Sequence, residues 1–239
     1  MWDNPRLLNG LAGFLTALGV MALVAGGIHL VLQSPLFPLR EVTVGGDMVR
    51  TGRSDVERAM ASRITGNFFA ADLGTIRAAL EQLPWVRRVE VRRAWPDRIE
   101  VVLEEHVALA RWGTAGLVNT HGERFDAVSE AALPTLSGPE GTERDVSARY
   151  RRFTELLAPL DAQLERVTLT SRGSWQLKLS SGLHIELGRD HPEAGAAEAR
   201  LGRFVAAFPS TLGRIASAHQ SVDLRYPNGF ALRVPEFKG

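Results

Sequence analysis

Residues 83–105, LPWVRRVEVRRAWPDRIEVVLEE, decide the fold of the first part of the chain. Apolar and charged side chains alternate on both sides of the central Trp-Pro-Asp. A period of two is typical of strands with one buried face, and proline followed by aspartate favours a turn. We therefore predict a β-hairpin with strands at 86–93 and 98–105. The residues that face the core in this prediction are Val89, Val91, Ile99, Val101 and Leu103.

Three further elements precede this hairpin. Residues 39–44 alternate in the same way and predict a strand that ends at two glycines. The Ser-Asp-Val-Glu that begins at residue 54 has the form of a capping box, which predicts a helix over 54–62. Leucine and isoleucine at spacings of three and four predict a second helix over 72–83, ended by Pro84. The predicted order is β-α-α-β-β.

The most unusual segment is residues 11–32, a run of 22 residues in which only Thr16 and His29 are polar. As a helix it would be about 33 Å long, enough to cross the hydrocarbon layer of a membrane. A cleaved signal peptide is the alternative, but residues 33–36, Gln-Ser-Pro-Leu, contain no cleavage site of small residues. We predict an uncleaved transmembrane helix.

The orientation of this helix follows from its short N-terminal flank. Arg6 and the free amine precede the span, so the positive-inside rule places residues 1–10 in the cytoplasm as a tail. Everything after the span is then predicted to lie on the other side of the membrane.

The composition excludes several classes of function. The net charge is +1, so no overall field would attract nucleic acid, and the absence of cysteine removes thiolate metal sites, disulfides and cysteine nucleophiles. The six histidines have no metal-ligand spacing, and no nucleophile elbow or phosphate-binding loop occurs. We expect no catalytic activity, cofactor or metal.

A second pattern begins near residue 107, where short strands and glycines replace the helical periodicity. A helix is predicted over 149–164 with a break at Pro159, and strict alternation predicts a hairpin of 174–179 with 183–187. A further helix is predicted over 192–207, with proline in its first turn.

The chain closes with predicted strands at 222–226 and 230–234, which form the last hairpin. A final strand this close to the terminus is expected at the edge of a sheet, where its backbone groups are available to another chain. The fold class predicted overall is α+β, with a C-terminal antiparallel β domain with helices over 107–235 and a tail at 236–239.

Some residues allow two interpretations. By alternation alone, Tyr226 and Phe230 fit either a binding surface or the core of a closing hairpin. Trp85 and Trp95 fit exposed anchors as well, but each flanks a proline at an element end, where we expect the rings to seal the core edge. The arginines around the first hairpin indicate either a solvated face or a contact with a partner or anionic lipid; they are Arg87, Arg88, Arg92, Arg93 and Arg98.

The order of motifs resembles one family. The β-α-α-β-β unit after a membrane span resembles a POTRA domain (37–106), and Leu-Pro-Trp-Val at 83–86 with Trp-Pro-Asp at 95–97 is similar to the signature of the FtsQ/DivIB division proteins. Gly-Leu-Val-Asn at 116–119 is similar to the opening of the family's β domain. Ser-Trp-Gln-Leu at 174–177 and Val-Asp-Leu-Arg-Tyr at 222–226 resemble the Gram-negative FtsQ branch. The resemblance extends from the span to about residue 232.

The resemblance implies a function and partners. Members of this family are bitopic inner-membrane proteins without catalytic activity that link early and late components of the division machinery at the septum. Their periplasmic β domain binds FtsB and FtsL, and their POTRA domain is implicated in recruitment by FtsK. A POTRA-type periplasmic chaperone or transport-assembly factor is the alternative, although such proteins usually carry several POTRA repeats.

The resemblance also implies a partner-binding site. The positions that match the family's FtsB-contacting surface are Arg172, Tyr226, Asn228, Gly229, Phe230 and Ala231. The expected mode is addition of a partner strand to the edge, with Tyr226 and Phe230 as apolar anchors. Pro227 departs from the family pattern because proline lacks a backbone donor.

Overall fold

The computed structural model describes residues 5–33, 37–63, 67–114, 116–191, 196–211, 221–226 and 229–233. The chain divides into two compact units, with the division between Glu105 and His106.

The first element is a long apolar helix, α1, at Pro5–Gln33. Its stretch Asn9–Val31 is long and apolar enough to cross a membrane, and none of it is buried by the rest of the protein. An apolar helix with no protein around it finds its favourable surroundings in lipid. Within the described residues it is the one helix that meets these criteria.

The rest of the first unit has the predicted β-α-α-β-β order. Its elements are β1 (Glu41–Gly45), α2 (Arg53–Ala61), α3 (Leu73–Leu80), β2 (Val86–Ala94) and β3 (Arg98–Glu105). The sheet order is β1-β3-β2, in which β1 runs parallel and β2 antiparallel to the central strand β3. Ile99, Val101 and Leu103 of β3 are buried as the alternation predicted. They pack with the buried residues of α2 and α3 in one apolar core.

The two helices of this unit differ in how their first turns are capped. Asp72 caps α3, since its carboxylate accepts the N–H of Gly74 at 2.9 Å and of Thr75 at 3.2 Å. The predicted capping box at Ser54 is wrong, because α2 begins one residue earlier and its N-cap is Gly52, which has no side chain to donate or accept.

The two tryptophans of the hairpin differ from each other. Trp85 is half-buried, and the guanidinium of Arg50 lies 4.7 Å above its ring. The expectation for Trp95 is wrong: the ring is 80% exposed, because the turn between β2 and β3 extends beyond the last layer of the core.

The second unit is built on a nine-stranded sheet. Its strands are β4 (Ala108–Trp112), β5 (Leu117–Asn119), β6 (Arg124–Phe125), β7 (Thr135–Ser137), β8 (Leu164–Leu169), β9 (Trp175–Leu179), β10 (His184–Gly188), β11 (Ser221–Asp223) and β12 (Ala231–Arg233). Their order across the sheet is β12-β11-β10-β9-β8-β7-β4-β5-β6.

This sheet is mixed and not wholly antiparallel as predicted. β4 and β7, β7 and β8, and β10 and β11 pair in parallel. Two of these pairs are joined by helices, α4 (Glu143–Leu157) between β7 and β8 and α5 (Ala197–Thr211) between β10 and β11. A helix that crosses back over the sheet returns the chain in the same direction, which gives parallel neighbours. The α+β class itself is confirmed.

The helices of this unit differ from the prediction at their ends. α4 begins at Glu143, six residues before the predicted start, and stops at Leu157. A 3-10 turn at Ala158–Leu160 follows and contains Pro159, so the predicted break is confirmed. The predicted start of α5 at Pro192 lies outside the described residues.

One core joins the two helices to the sheet. Phe153 of α4 meets the buried ring of Trp175 edge-to-face, with 5.7 Å between the ring centroids. Phe204 of α5 is fully buried in the same cluster. Each large aromatic side chain of this kind buries a large apolar area and so stabilises the contact between the helices and the sheet.

Candidate functional site: an edge strand beside an arginine groove

The last strand, β12, lies at the edge of the nine-stranded sheet as predicted. It pairs antiparallel with β11 through Ser221 with Arg233, Val222 with Leu232, and Asp223 with Ala231. Among the described residues, no strand pairs with its other side.

The direction of the backbone groups on β12 can be inferred from a hydrogen bond between β10 and the residue that follows β11. The N–H of Leu224 donates to the carbonyl of Glu186 on β10 at 2.8 Å. Successive residues of a strand direct their backbone groups to opposite sides, so Ser221 and Asp223 face β12. Their partners on β12, Arg233 and Ala231, therefore direct their backbone N–H and C=O groups toward β11. Leu232 lies between them and directs its N–H and C=O groups toward the open edge. This is the arrangement that an added strand requires.

The predicted anchor Phe230 lies mostly against the core. It is half-buried, and its ring meets that of Phe204 edge-to-face at 5.8 Å between centroids. The alternative interpretation of this side chain, the core of a closing hairpin, is thus the one that its contacts favour.

Tyr226 lies differently, in the bend after β11, with 55% of its surface exposed. Gly229 and Ala231 are also exposed beside it. The predicted site residue Asn228 and its neighbour Pro227 lie outside the described residues. The described part of the hairpin thus offers one exposed aromatic ring next to an open strand edge.

Arg172 is far from this hairpin in sequence, but it lines the same groove as Arg225, which directly precedes Tyr226. The groove has a volume of about 740 Å³ and is lined by described residues from the β8–β9 turn, the end of β10, α5 and the residue after Leu224. These residues are Thr170, Ser171, Arg172, Ser174, Gln176, Glu186, Leu187, Gly188, Arg189, His191, Arg200 and Arg225. The lining contains four arginines and one glutamate, but Arg200 is buried and Arg225 is paired with Asp223.

Arg225 is held in this groove by its own strand. Its Nε donates to both carboxylate oxygens of Asp223, at 2.9 and 3.0 Å. The hydrogen bond from the Arg225 side chain holds the pKa of Asp223 below its usual range. Gly188, at φ +76°, makes this placement possible, because a Cβ there would lie 2.7 Å from Cγ of Arg225.

Arg200 shapes the wall of the groove from beneath. Only 2% of it is exposed, its Nε donates to the carbonyl of Leu187 at 2.8 Å, and its Nη2 donates to the carbonyl of Arg189 at 2.6 Å. Desolvation by burial lowers the pKa of Arg200. Arg200 therefore fixes the chain after β10 and exposes little of its charge.

These observations define what the site can do. The open edge at Leu232 suits a paired strand, the exposed ring of Tyr226 suits an apolar contact, and Arg172 and Arg225 in the groove suit acidic side chains. Motif matching found Arg172 and Tyr226 but missed Arg225, although it directly precedes Tyr226. No sequence signal indicated that the turn after β8 and the end of β11 line the same groove.

The fold and this site define a class: a single-pass membrane protein with a small β-α-α-β-β domain followed by a mixed-sheet domain that has an open edge. Family comparisons agree with this class. The family described as POTRA domain, FtsQ-type matches residues 37–106, and the one described as Cell division protein FtsQ/DivIB, C-terminal matches residues 110–225.

Whole proteins match as well. A cell division protein FtsQ of Burkholderia pseudomallei is 44% identical over 237 residues, which cover 98% of this chain and 94% of that protein. Proteins of the same name from Nitrosospira multiformis and Bordetella pertussis are 37% and 38% identical, each over 98% of this chain and over 99% and 93% of their own lengths. The chain belongs to the FtsQ/DivIB family of bacterial cell division proteins, and the resemblance seen in its motifs is confirmed.

Proposed function

We propose that this protein is a non-enzymatic scaffold of the bacterial division machinery that binds FtsB and FtsL through β12 and the arginine groove. In this proposal α1 is the inner-membrane anchor, the N-terminus is cytoplasmic, and both folded units act in the periplasm at the septum. The family membership supports the division role, and the open edge at Leu232 is the observation that carries the binding mode.

The domain division proposed is a cytoplasmic tail at 1–10, a membrane helix at 11–32, a POTRA domain at 37–106, a β domain at 107–235 and a tail at 236–239. The family matches and the division of the chain into two compact units support its middle boundary. We assign recruitment by FtsK to the POTRA domain on the family resemblance alone.

The partner surface is proposed to have three parts. The backbone of Leu232 would pair with a strand of the partner, Tyr226 would supply the apolar contact, and Arg172 and Arg225 would face acidic side chains. Strand addition gives affinity through main-chain hydrogen bonds, whereas the side chains select the partner. Phe230 and Ala231 would support this surface, since the first packs into the core beneath it and the second pairs with β11.

The first test measures binding of the periplasmic parts of FtsB and FtsL to the full chain in lipid nanodiscs. Tyr226→Glu should abolish binding, whereas Val128→Glu should leave it unchanged. Val128 is a suitable control because it is 87% exposed and follows β6, at the opposite edge of the sheet. Circular dichroism checks that each variant keeps its fold.

A second pair of variants isolates the backbone contribution. Leu232→Pro and Leu232→Ala both lose the leucine side chain, but only proline removes the N–H that faces the open edge. Binding that survives in Leu232→Ala and is lost in Leu232→Pro would support strand addition. Equal binding by these two variants would contradict strand addition. A wild-type chain that binds neither FtsB nor FtsL would contradict the scaffold proposal and favour the chaperone alternative.

A further inference from the structure

One end of the first unit is close in sequence to the membrane helix. In the sheet, Glu41 at the start of β1 lies beside Arg98 at the start of β3, and Arg98 pairs with Ala94 at the end of β2. The segment that leads into β1 and the turn between β2 and β3 therefore share one end of the sheet. The N–H of Arg40 donates to the carbonyl of Asp97 at 3.0 Å and joins them directly.

Aromatic rings are exposed at this end. Trp95, in the turn, is 80% exposed, and Phe69 is 39% exposed and contacts Phe37 edge-to-face at 5.2 Å. The guanidinium of Arg93, near the end of β2, donates to the carbonyls of Phe68 at 2.9 Å and Ala71 at 2.7 Å. That contact fixes the Phe69 segment to the same end of the sheet as Trp95.

The length of chain between the membrane helix and this end is short. α1 ends at Gln33, and Phe37, whose carbonyl already accepts the N–H of Phe68 at 2.9 Å, is the fourth residue after it. Four residues span at most about 14 Å even when fully extended. The interfacial layer of a bilayer is itself roughly 5–8 Å thick on each side. The connection is therefore short enough to keep this end of the sheet close to the lipid surface, even at its greatest possible length.

The charges at this end are largely balanced. Arg98 pairs with Glu41 at 3.2 Å, Arg92 with Glu100 at 2.6 Å, and Arg40 lies 3.8 Å from Asp97. These arginines thus have acidic partners on the protein itself. Contact with lipid at this end would depend on the aromatic rings and not on attraction to anionic headgroups.

We propose that this end of the first unit is a membrane-contacting surface, in which Trp95 enters the lipid–water interface of the leaflet from which the chain emerges and Phe69 contacts its border. Tryptophan is the side chain that favours this interface, because its ring is apolar and its N–H reaches a polar group. The short tether keeps the local concentration of lipid high, so a weak contact is enough to hold the domain against the bilayer. This inference depends on α1 as an anchor and not on any protein partner.

The test uses the full chain in phosphatidylcholine vesicles with and without brominated lipid, which quenches tryptophan fluorescence on contact. Trp2 lies before the span, so the background variant is Trp2→Phe. We expect brominated lipid to reduce the emission of Trp2→Phe, and most of that loss to disappear in Trp2→Phe/Trp95→Phe. The matched control is Trp2→Phe/Trp85→Phe, since Trp85 is half-buried beneath Arg50 and its removal should preserve the lipid-dependent loss.

Two results would overturn the proposal. Equal quenching with and without Trp95 would mean that the ring does not reach lipid and is available to a protein. Quenching that appears only when phosphatidylglycerol is included would mean that the arginines, and not the aromatic rings, make the contact. An unchanged loss in neutral and anionic vesicles is the result expected from the paired charges.

Discussion

The rings of Phe204 in α5 and Phe230 before β12 meet edge-to-face, with 5.8 Å between their centroids and an interplanar angle of 87°. This contact attaches the last hairpin to the core of the second unit. The sheet edge is thus held in place by one residue of the candidate site, while Tyr226 next to it remains exposed.

Phe230→Ala should therefore destabilise the second unit. We expect a loss of about 1–3 kcal/mol in the free energy of unfolding, below the range for a fully buried phenylalanine because Phe230 is half-buried. Tyr226→Ala should change it by less than about 0.5 kcal/mol, as is usual for an exposed position. Urea unfolding of the full chain in detergent measures both, followed by tryptophan fluorescence in a background in which Trp2, Trp85 and Trp95 are replaced by phenylalanine. The remaining Trp112 and Trp175 are buried in the second unit.

Arg149 should contribute to stability through contacts that lysine cannot reproduce. Its guanidinium pairs with Asp190 at 2.6 Å and Glu198 at 2.8 Å and lies 5.1 Å from the ring centroid of Trp175. Arg149→Ala leaves the half-buried Glu198 and the exposed Asp190 without this partner, and we expect a loss of about 1–2 kcal/mol. Arg149→Lys should fall between this variant and the wild type, because an ammonium lacks the planar fork.

The same unfolding experiment tests this order of stabilities. If Arg149→Lys is as stable as the wild type, charge alone matters and the fork geometry does not. An alanine variant without loss would show that Asp190 and Glu198 find other partners.

Glu105 should make the stability of the first unit depend on pH. Its carboxylate accepts the backbone N–H groups of Thr51 at 2.6 Å, Arg50 at 2.9 Å and Val49 at 3.0 Å. Partial burial opposes its ionisation, but the hydrogen bonds from Thr51, Arg50 and Val49 outweigh this, so the pKa of Glu105 lies below its usual value. A lowered pKa in the folded state means stability that is complete above the unfolded pKa of about 4.3 and is lost as the pH falls through the folded pKa.

The matched variant for this pH effect is Glu105→Gln, which should lose about 1–2 kcal/mol at neutral pH. The difference between wild type and variant should shrink as the medium becomes acidic. Hydrogen exchange at peptides from 86–105 follows the first unit separately from the second. A difference that is constant from neutral pH to about pH 3 would contradict the assignment of the pH effect to Glu105.

Two adjacent glycines at the end of β1 should differ strongly in how much stability they lose on substitution by alanine. Gly46 has φ +114°, and a Cβ there would lie 2.1 Å from the carbonyl oxygen of Leu103. Gly45 has open space around the same position. Gly46→Ala should cost more than about 2 kcal/mol because both the backbone and the neighbouring strand resist it, whereas Gly45→Ala should be nearly neutral. Thermal unfolding of the two variants checks this difference.

The local structure could be predicted well from the sequence, because local patterns encode which side of an element is buried. The alternation in 98–105 correctly identified Ile99, Val101 and Leu103 as core residues. The break at Pro159 and the hairpin of β9 with β10 were also correct, since a proline ring and a turn act on their immediate neighbours. The apolar run after residue 10 predicted α1 in the same direct way.

Exposure at the ends of elements was harder to predict. Trp95 and Phe230 are both aromatic residues beside a turn, yet the first is not covered by the protein and the second lies against Phe204. The difference in exposure depends on whether a helix covers that end of the sheet. A stretch of a few residues carries no information about which helix packs over it. The capping box at Ser54 failed for another reason: α2 begins at Arg53 after Gly52, so Ser54 lies inside the helix and not at its N-cap.

The sequence by itself determined the apolar helix α1, the order of the first unit and the membership of the chain in its family, because each follows from short motifs and their order along the chain. The tertiary structure decided that β7 and β8, and β10 and β11, run parallel, since this depends on α4 and α5 packing back over the sheet. It also decided that Arg172 and Arg225 line one groove. These two residues are close because of how the strands pair in the assembled sheet. No pattern of neighbouring residues in the sequence predicts that pairing.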